Sequence, residues 1–196
     1  RKGSSRIKMR VLVTGVNGFV GTHLSSLLLE KGFEEKSSQS VSVLQALPKS
    51  DRAKETVELL TAAGVDAIYP WQSARAIGKD SDKWEVASIE ASKQSRRFYI
   101  PKVSPKLDTE KAIGLLEEFD QVLVCHESAA TKVSDLAKPA TKTLIVIGPE
   151  GGLTNEELTT FEAAGAKVIK LGRPVLRSAH AGIAAISAVS ALMKVW

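Results

Sequence analysis

Two short apolar runs, Leu144-Ile-Val-Ile147 and Lys167-Val-Ile-Lys-Leu171, each break at a glycine-bearing segment, Gly148-Pro-Glu-Gly-Gly152 and Gly172-Arg-Pro-Val-Leu176, with a helical stretch between them. Runs of this length read as buried strands, and strands alternating with helices imply a parallel α/β sheet. In such sheets ligands bind outside the carboxyl ends of the strands, where glycine lets the backbone come close without a Cβ in the way. Both loops are therefore expected to line one pocket. Between them Thr154 and Glu157 stand at capping-box spacing, and Gly165 supplies a left-handed stop. The intervening helix, 155–164, brings Leu158, Phe161 and Glu162 within one turn, which gives it an apolar side for the sheet.

These residues also carry a resemblance. Ile147-Gly-Pro-Glu-Gly-Gly-Leu-Thr-Asn-Glu-Glu-Leu158, followed by Leu171-Gly-Arg-Pro-Val-Leu-Arg177 and a helix of small residues, resembles the bacterial family that methylates N3 of a uridine in small-subunit (16S) ribosomal RNA. That family belongs to the SPOUT superfamily of S-adenosylmethionine-dependent methyltransferases. The resemblance implies a knotted parallel sheet with flanking helices, the last helix passing through a loop. It also implies a homodimer whose active site forms across two subunits, acting in the cytoplasm. It runs from about Ser40 to Trp196, and the expected methyltransferase domain is 40–196.

Residues 1–39 fit that pattern poorly. Met9-Arg-Val-Leu-Val-Thr-Gly15 leads into Gly18 and Gly21 and then Leu24 to Leu29, which resembles the glycine turn of extended short-chain dehydrogenases. A strand feeding such a turn and a helix seats a pyrophosphate on the helix N-terminus. A dinucleotide fold, however, needs a second strand near an acidic ribose-binding residue and further βα units. Here Gly32-Phe-Glu-Glu-Lys-Ser-Ser-Gln39 runs straight into the next pattern. The segment is read as a partial RNA-binding β-barrel of PUA-like type, or an atypical replacement for one. Of the net charge of +5, the excess lies at the start: residues 1 to 50 hold eight Lys/Arg against three Asp/Glu, and the remainder is balanced. Such a basic end suits phosphate-backbone contact, and equally a solvated tail.

The single Cys125 excludes an internal disulfide framework. No stretch approaches the roughly 20 apolar residues of a membrane span. No metal ligands recur at metal spacing, and His23 has no second ligand near it.

Taken in order, Val41, Val43, Leu44 and Leu47 mark a strand, Arg52 to Ala63 a helix stopped at Gly64, and Ile68, Tyr69 and Trp71 a short core strand. Trp84, Ala87, Ala91 and Ser95 recur at helical spacing over 82–99. Its end, with Lys93, Gln94, Arg96 and Arg97, gathers cations that suit either a helix C-terminus or phosphates. Resemblance to the family's helix motif makes Gln94, Arg96 and Arg97 candidate RNA contacts, and Arg75 joins them. A helix over 109–119 precedes the strand Gln121 to Glu127, with Cys125 expected as inert core, and 128–141 reads as a loop.

The resemblance implies a cofactor site at Leu123, Glu127, Gly148, Pro149, Glu150, Gly151, Gly152, Leu171, Gly172, Val175 and Leu176, where backbone groups read adenine and Val175 and Leu176 cover its face. His126 is a weaker candidate base, more often simply hydrogen-bonded at a strand end. Arg177 is the candidate catalytic residue, a permanent cation that can stabilise charge on the uracil oxygens. After Leu-Arg the family usually shows hydroxyl-bearing or acidic residues, whereas this chain reads Ser178-Ala179-His180. Two alternatives stand beside the methyltransferase reading. One is an NAD(P)-binding reductase resting on residues 9–32, for which the Tyr-x-x-x-Lys pair is missing. The other is a non-catalytic RNA-binding relative.

Overall fold

The computed structural model describes residues 39–97, 99–136 and 140–193. The expectations placed on the glycine fingerprint and the partial barrel lie outside them. The described residues fall in one compact unit that begins at Ser37.

Six strands form its sheet: β1 Ser40–Ala46, β2 Ala67–Trp71, β3 Lys102–Val103, β4 Gln121–Cys125, β5 Lys142–Ile147 and β6 Lys167–Ile169. They lie in the order β3-β2-β1-β5-β4-β6, and every pairing is parallel. Parallel strands need covered faces on both sides, which is why β5 carries the unbroken apolar run Leu144–Ile147 and why β1 is buried from Val41 to Ala46 even at its polar Ser42 and Gln45. Alternate side chains of each strand enter two cores. Val41, Val43, Leu123, Ile145 and Ile147 face the helices α1 (Ala53–Ala62), α2 (Trp84–Gln94) and α6 (Ser178–Leu192). Leu44, Val122, Val124, Leu144 and Val146 face α3 (Thr109–Gly114) and α5 (Asn155–Ala163), with Trp71 and Phe161 edge to face at 5.3 Å between centroids.

Local signals set the boundaries of α5. At the start of α5 the Thr154 hydroxyl accepts from the Glu157 amide at 3.1 Å while the Glu157 carboxylate accepts from the Thr154 N–H at 2.9 Å, the reciprocal box expected from spacing. Gly165 ends that region with φ of +90°. On its apolar side Phe161 is fully buried and Leu158 partly so, while Glu162 faces solvent.

Three expectations change. The helix expected over 82–99 stops at Gln94, because Arg96 takes φ of 53° and the N–H groups of Arg96 and Arg97 turn back to the carbonyls of Lys93 and Ser92. This is a Schellman closure with arginine where glycine is usual, and it leaves Ser95 exposed. The helix expected over 109–119 tightens into a 3-10 turn, Leu115–Glu118. The stretch expected as a loop from 128 carries one helical turn, α4 (Val133–Leu136), beside a bridge between Lys132 and Lys170.

The small residues of α6 let it press on the sheet and on α1. A Cβ built on Gly182 would stand 2.5 Å from the Leu60 side chain and 3.4 Å from the Gln45 amide oxygen. No helix among the described residues is long and apolar enough to cross a membrane.

Candidate active site: two clefts divided by one helical turn

Because all six strands run one way, the loops that follow them gather on one edge, and the candidate residues divide between two clefts there. The first cleft, about 100 Å³, is lined by Cys125, His126 and Glu127 after β4, by Lys170 to Leu176 after β6, and by Ala181 of α6. It unites Glu127, Leu171, Gly172, Val175 and Leu176 as expected. The second, about 470 Å³, is lined by Lys49, Asp51 and Arg52 after β1, Ile77 after β2, Glu150 after β5, and Arg177 to His180. The expectation of one pocket lined by both glycine-bearing loops is thus corrected. Leu176 faces the first cleft and its neighbour Arg177 the second, so the first turn of α6 is the wall between them.

The walls differ in how they are held. After β5, Gly152 takes φ of +70°, a conformation suited to glycine, and its N–H closes a turn on the Pro149 carbonyl at 3.0 Å. The Gly148 carbonyl accepts from the Ser178 hydroxyl at 2.7 Å, and Ser178 in turn accepts from the buried Gln45 amide at 3.0 Å. Arg75 donates to the carbonyls of Gly151 and Leu153 at 3.0 and 3.5 Å, so this candidate RNA contact braces the glycine loop. Glu157, buried, has a second function beyond its cap: its other oxygen accepts from the Ala74 N–H at 2.8 Å. Glu150 is exposed and accepts from the Lys49 amide at 3.3 Å. Pro149 is buried, and neither it nor the three loop glycines lines either cleft.

The loop after β6 is bare by comparison. Among the described residues no hydrogen bond engages the backbone N–H or carbonyl of Leu171 through Leu176. Val175 is 76% exposed and Leu176 38%. Unpaired amides and carbonyls beside exposed aliphatic side chains are the donor set that a heteroaromatic edge and face require. Such a segment fits the adenosyl part of a nucleoside cofactor.

Leu123 does not reach the cleft. It is fully buried in the middle of β4, aligned with Ile145 on one side and Lys167 on the other. Cys125, expected as inert core, is instead half-buried and lines the first cleft. Burial pushes its thiol up to about 12. At pH 8 this sole cysteine is therefore expected to react with Ellman's reagent about 10³-fold slower than a free thiol, because so little thiolate is present. Reaction at the free-thiol rate in the folded protein would contradict that burial. His126 fills the bland role: its Nδ1 lies 2.7 Å from the Ser128 hydroxyl and accepts from the Ser128 N–H at 3.3 Å.

Gln94, Arg96 and Arg97 lie at the opposite edge of the sheet. The Arg97 guanidinium donates to the Thr61 carbonyl at 2.8 Å and stacks on Tyr99 at 4.3 Å. Tyr99 in turn bonds Asp66, whose carboxylate takes the Val41 N–H at 2.7 Å at the very start of β1. Burial first, then that bond to Asp66, raises the Tyr99 phenol well above its usual range. Arg97 is thus committed to joining the ends of α1 and α2, while Gln94 and Arg96 remain exposed.

Around the second cleft the permanent cations prevail, with Lys49, Arg52 and Arg177 against Asp51 and Glu150, and His180 stands beside them. Arg52 holds Glu55 at 2.9 Å, and this bond, then the Arg52 charge and His180, keeps the Glu55 carboxyl below its usual range. Arg177 caps α6 without a side-chain bond, and among the described residues its guanidinium has no partner. A free, permanent cation at the mouth of a cleft suits an anionic or charge-developing ligand.

The RNA methyltransferase domain family matches residues 35–190. The chain is 38% identical over 169 residues to ribosomal RNA small subunit methyltransferase E of Mycobacterium bovis, covering 80% of this chain and 64% of the relative. It is 30% identical to the protein of the same name from Bacillus subtilis, covering 76% and 65%. The chain thus spans just under two thirds of the length of these curated relatives. Among solved structures, the Neisseria gonorrhoeae ribosomal RNA small subunit methyltransferase E bound to S-adenosyl methionine superposes with a TM-score of 0.74 at 29% identity, over 79% of this chain and 66% of that one. With its all-parallel sheet and this match over most of its length, the chain belongs to the RNA methyltransferase domain family.

Proposed function

We propose that the protein is an S-adenosylmethionine-dependent methyltransferase acting on N3 of a uridine in small-subunit (16S) ribosomal RNA, working as a homodimer in the cytoplasm. The observation that carries this reading is the adjacency of the two clefts. One offers unpaired backbone and apolar cover, the other cationic side chains, and consecutive residues, Leu176 and Arg177, belong to one each.

The first cleft would hold the cofactor. Backbone groups of Leu171 to Leu176 would meet the adenine edge, Val175 and Leu176 would cover its face, and the exposed carboxylate of Glu127 stands where a ribose hydroxyl could bond. Bound S-adenosylmethionine supplies a methyl already activated on a sulfonium. Transfer then depends on positioning the acceptor and stabilising charge on it. Arg177, across the dividing turn, would offset the negative charge that develops on the uracil oxygens, while Lys49 and Arg52 would meet RNA phosphate. Gln94 and Arg96, at the other edge of the sheet, would contribute only to an extended RNA contact.

Calorimetric titration with S-adenosylhomocysteine and, separately, NADPH tests the assignment. Binding of the first alone, followed by methyl incorporation into small ribosomal subunits, is expected. Binding of NADPH alone would transfer the working site to residues 9–32 and overturn this reading.

A further inference from the structure

The proposed reaction removes a proton from the nucleobase nitrogen, and nothing so far assigns the group that takes it. The second cleft holds three side chains able to accept one: Asp51, Glu150 and His180. General-base catalysis works best when the base titrates near the operating pH. Imidazole as a class does so, whereas carboxylates are fully ionised and weakly basic at neutrality. Glu150 is further committed through one oxygen to the Lys49 amide.

His180 is also oriented as a base needs to be. Its Nε2 lies 3.6 Å from Glu55 Oε1, and the other Glu55 oxygen is held by Arg52 at 2.9 Å. A carboxylate facing Nε2 favours the tautomer with its proton there, leaving the lone pair on Nδ1. Among the described residues Nδ1 has no hydrogen-bond partner. The side chain is 47% exposed, so a captured proton has a route to solvent. His180 sits one turn along α6 from Arg177, its N–H accepted by the Arg177 carbonyl at 2.9 Å, which places base and permanent cation on one wall.

We propose that His180 is the catalytic base for the nucleobase N–H, with Glu55 as its positioning residue and Arg52 holding Glu55. The inference rests on the methyltransferase reading above. In the step, the N3–H proton passes to His180 Nδ1 and the N3 electron pair forms the bond to the methyl carbon. The carbon–sulfur bond breaks with its pair retained by sulfur. The resulting imidazolium faces the Glu55 carboxylate and later yields its proton to water. The charged groups that share its surroundings are Lys49, Asp51, Arg52, Glu55, Glu150 and Arg177.

Methyl transfer from labelled S-adenosylmethionine to small ribosomal subunits is to be followed across pH 5.5–9.5 in the unaltered protein, His180→Ala and Glu55→Gln. The unaltered protein should lose rate on the acid side, within the roughly pH 5–8 span where imidazoles titrate. His180→Ala should lower kcat by about 10²–10⁴-fold, lose that acid limb, and recover part of its rate with added imidazole. S-adenosylhomocysteine affinity should stay unchanged. Glu55→Gln removes the carboxylate that orients the imidazole, so kcat should fall while S-adenosylhomocysteine affinity holds, and the balance of Nδ1 and Nε2 tautomers in the His180 ring signal in NMR should shift. A His180→Ala enzyme within threefold of the unaltered rate and retaining the acid limb would overturn the assignment while leaving the methyltransferase reading intact. An unaltered protein that binds S-adenosylhomocysteine yet methylates no subunit would overturn both. A His180 signal unmoved by Glu55→Gln would overturn the pairing.

Discussion

Replacing Arg177 with alanine is expected to lower methyl transfer by about 10²–10³-fold while S-adenosylhomocysteine still binds within about threefold of its usual affinity, the pattern of a lost electrostatic stabiliser. The split follows from the wall between the clefts. Of the two clefts Arg177 lines the second, and among the described residues its guanidinium bonds nothing that shapes the first. Its loss removes no core contact, because the side chain is exposed and the α6 cap uses no side-chain bond. A Lys replacement should recover only part of the rate, since an ammonium provides the charge without the planar fork. Single-turnover kinetics on isolated subunits separate the outcomes. Equal losses in cofactor affinity and rate would mean that Arg177 organises the first cleft, and undiminished turnover would remove it from the chemistry.

Gly78→Ala is expected to cost about 3 kcal/mol of stability, the upper end of overpacking penalties. A Cβ at Gly78 would stand 2.2 Å from the Pro48 carbonyl oxygen and 3.1 Å from the Leu47 Cβ. Neither neighbour is a mobile side-chain tip. Leu47 is fully buried and its N–H bonds the Trp71 carbonyl at 2.9 Å, so the sheet itself holds the obstructing backbone. Relief must come from shifting the loop after β2 outward, which also displaces Ile77 from the wall of the second cleft. Urea unfolding should show a lower midpoint with an unchanged slope. A change within about 0.5 kcal/mol, as for an ordinary surface substitution, would show that the loop moves freely.

What the sequence discloses here is what short-range chemistry determines. The Thr154 and Glu157 box, the Gly165 stop, the apolar strands and the small-residue helix all depend on neighbours within a few positions, and all are found where expected. The long-range partners are a different matter. Glu157 reaches Ala74, Arg97 reaches Thr61, and Arg75 reaches Gly151 across 83, 36 and 76 positions. No periodicity announces such contacts, so Glu157 reads as a cap alone and Arg97 as a free cation. The division into two clefts is hidden for the same reason: it depends on Ser178 tying α6 to the Gly148 carbonyl. Residue types in Arg96-Arg97 could suggest charge, but only the left-handed turn at Arg96 reveals that one arginine closes a helix and the next staples two.

The Glu157 carboxylate, bonding the amides of both Thr154 and Ala74, makes the loops after β2 and β5 a single cooperative unit in exchange with solvent. Opening either one breaks a bond to the same buried carboxylate, so their amides should exchange together and slowly. The segment Leu171 to Leu176 has no such bond to break. One side of the site therefore behaves as a fixed anvil and the other as a compliant arm, and whatever adjustment an incoming nucleoside demands of the narrow first cleft falls on the arm.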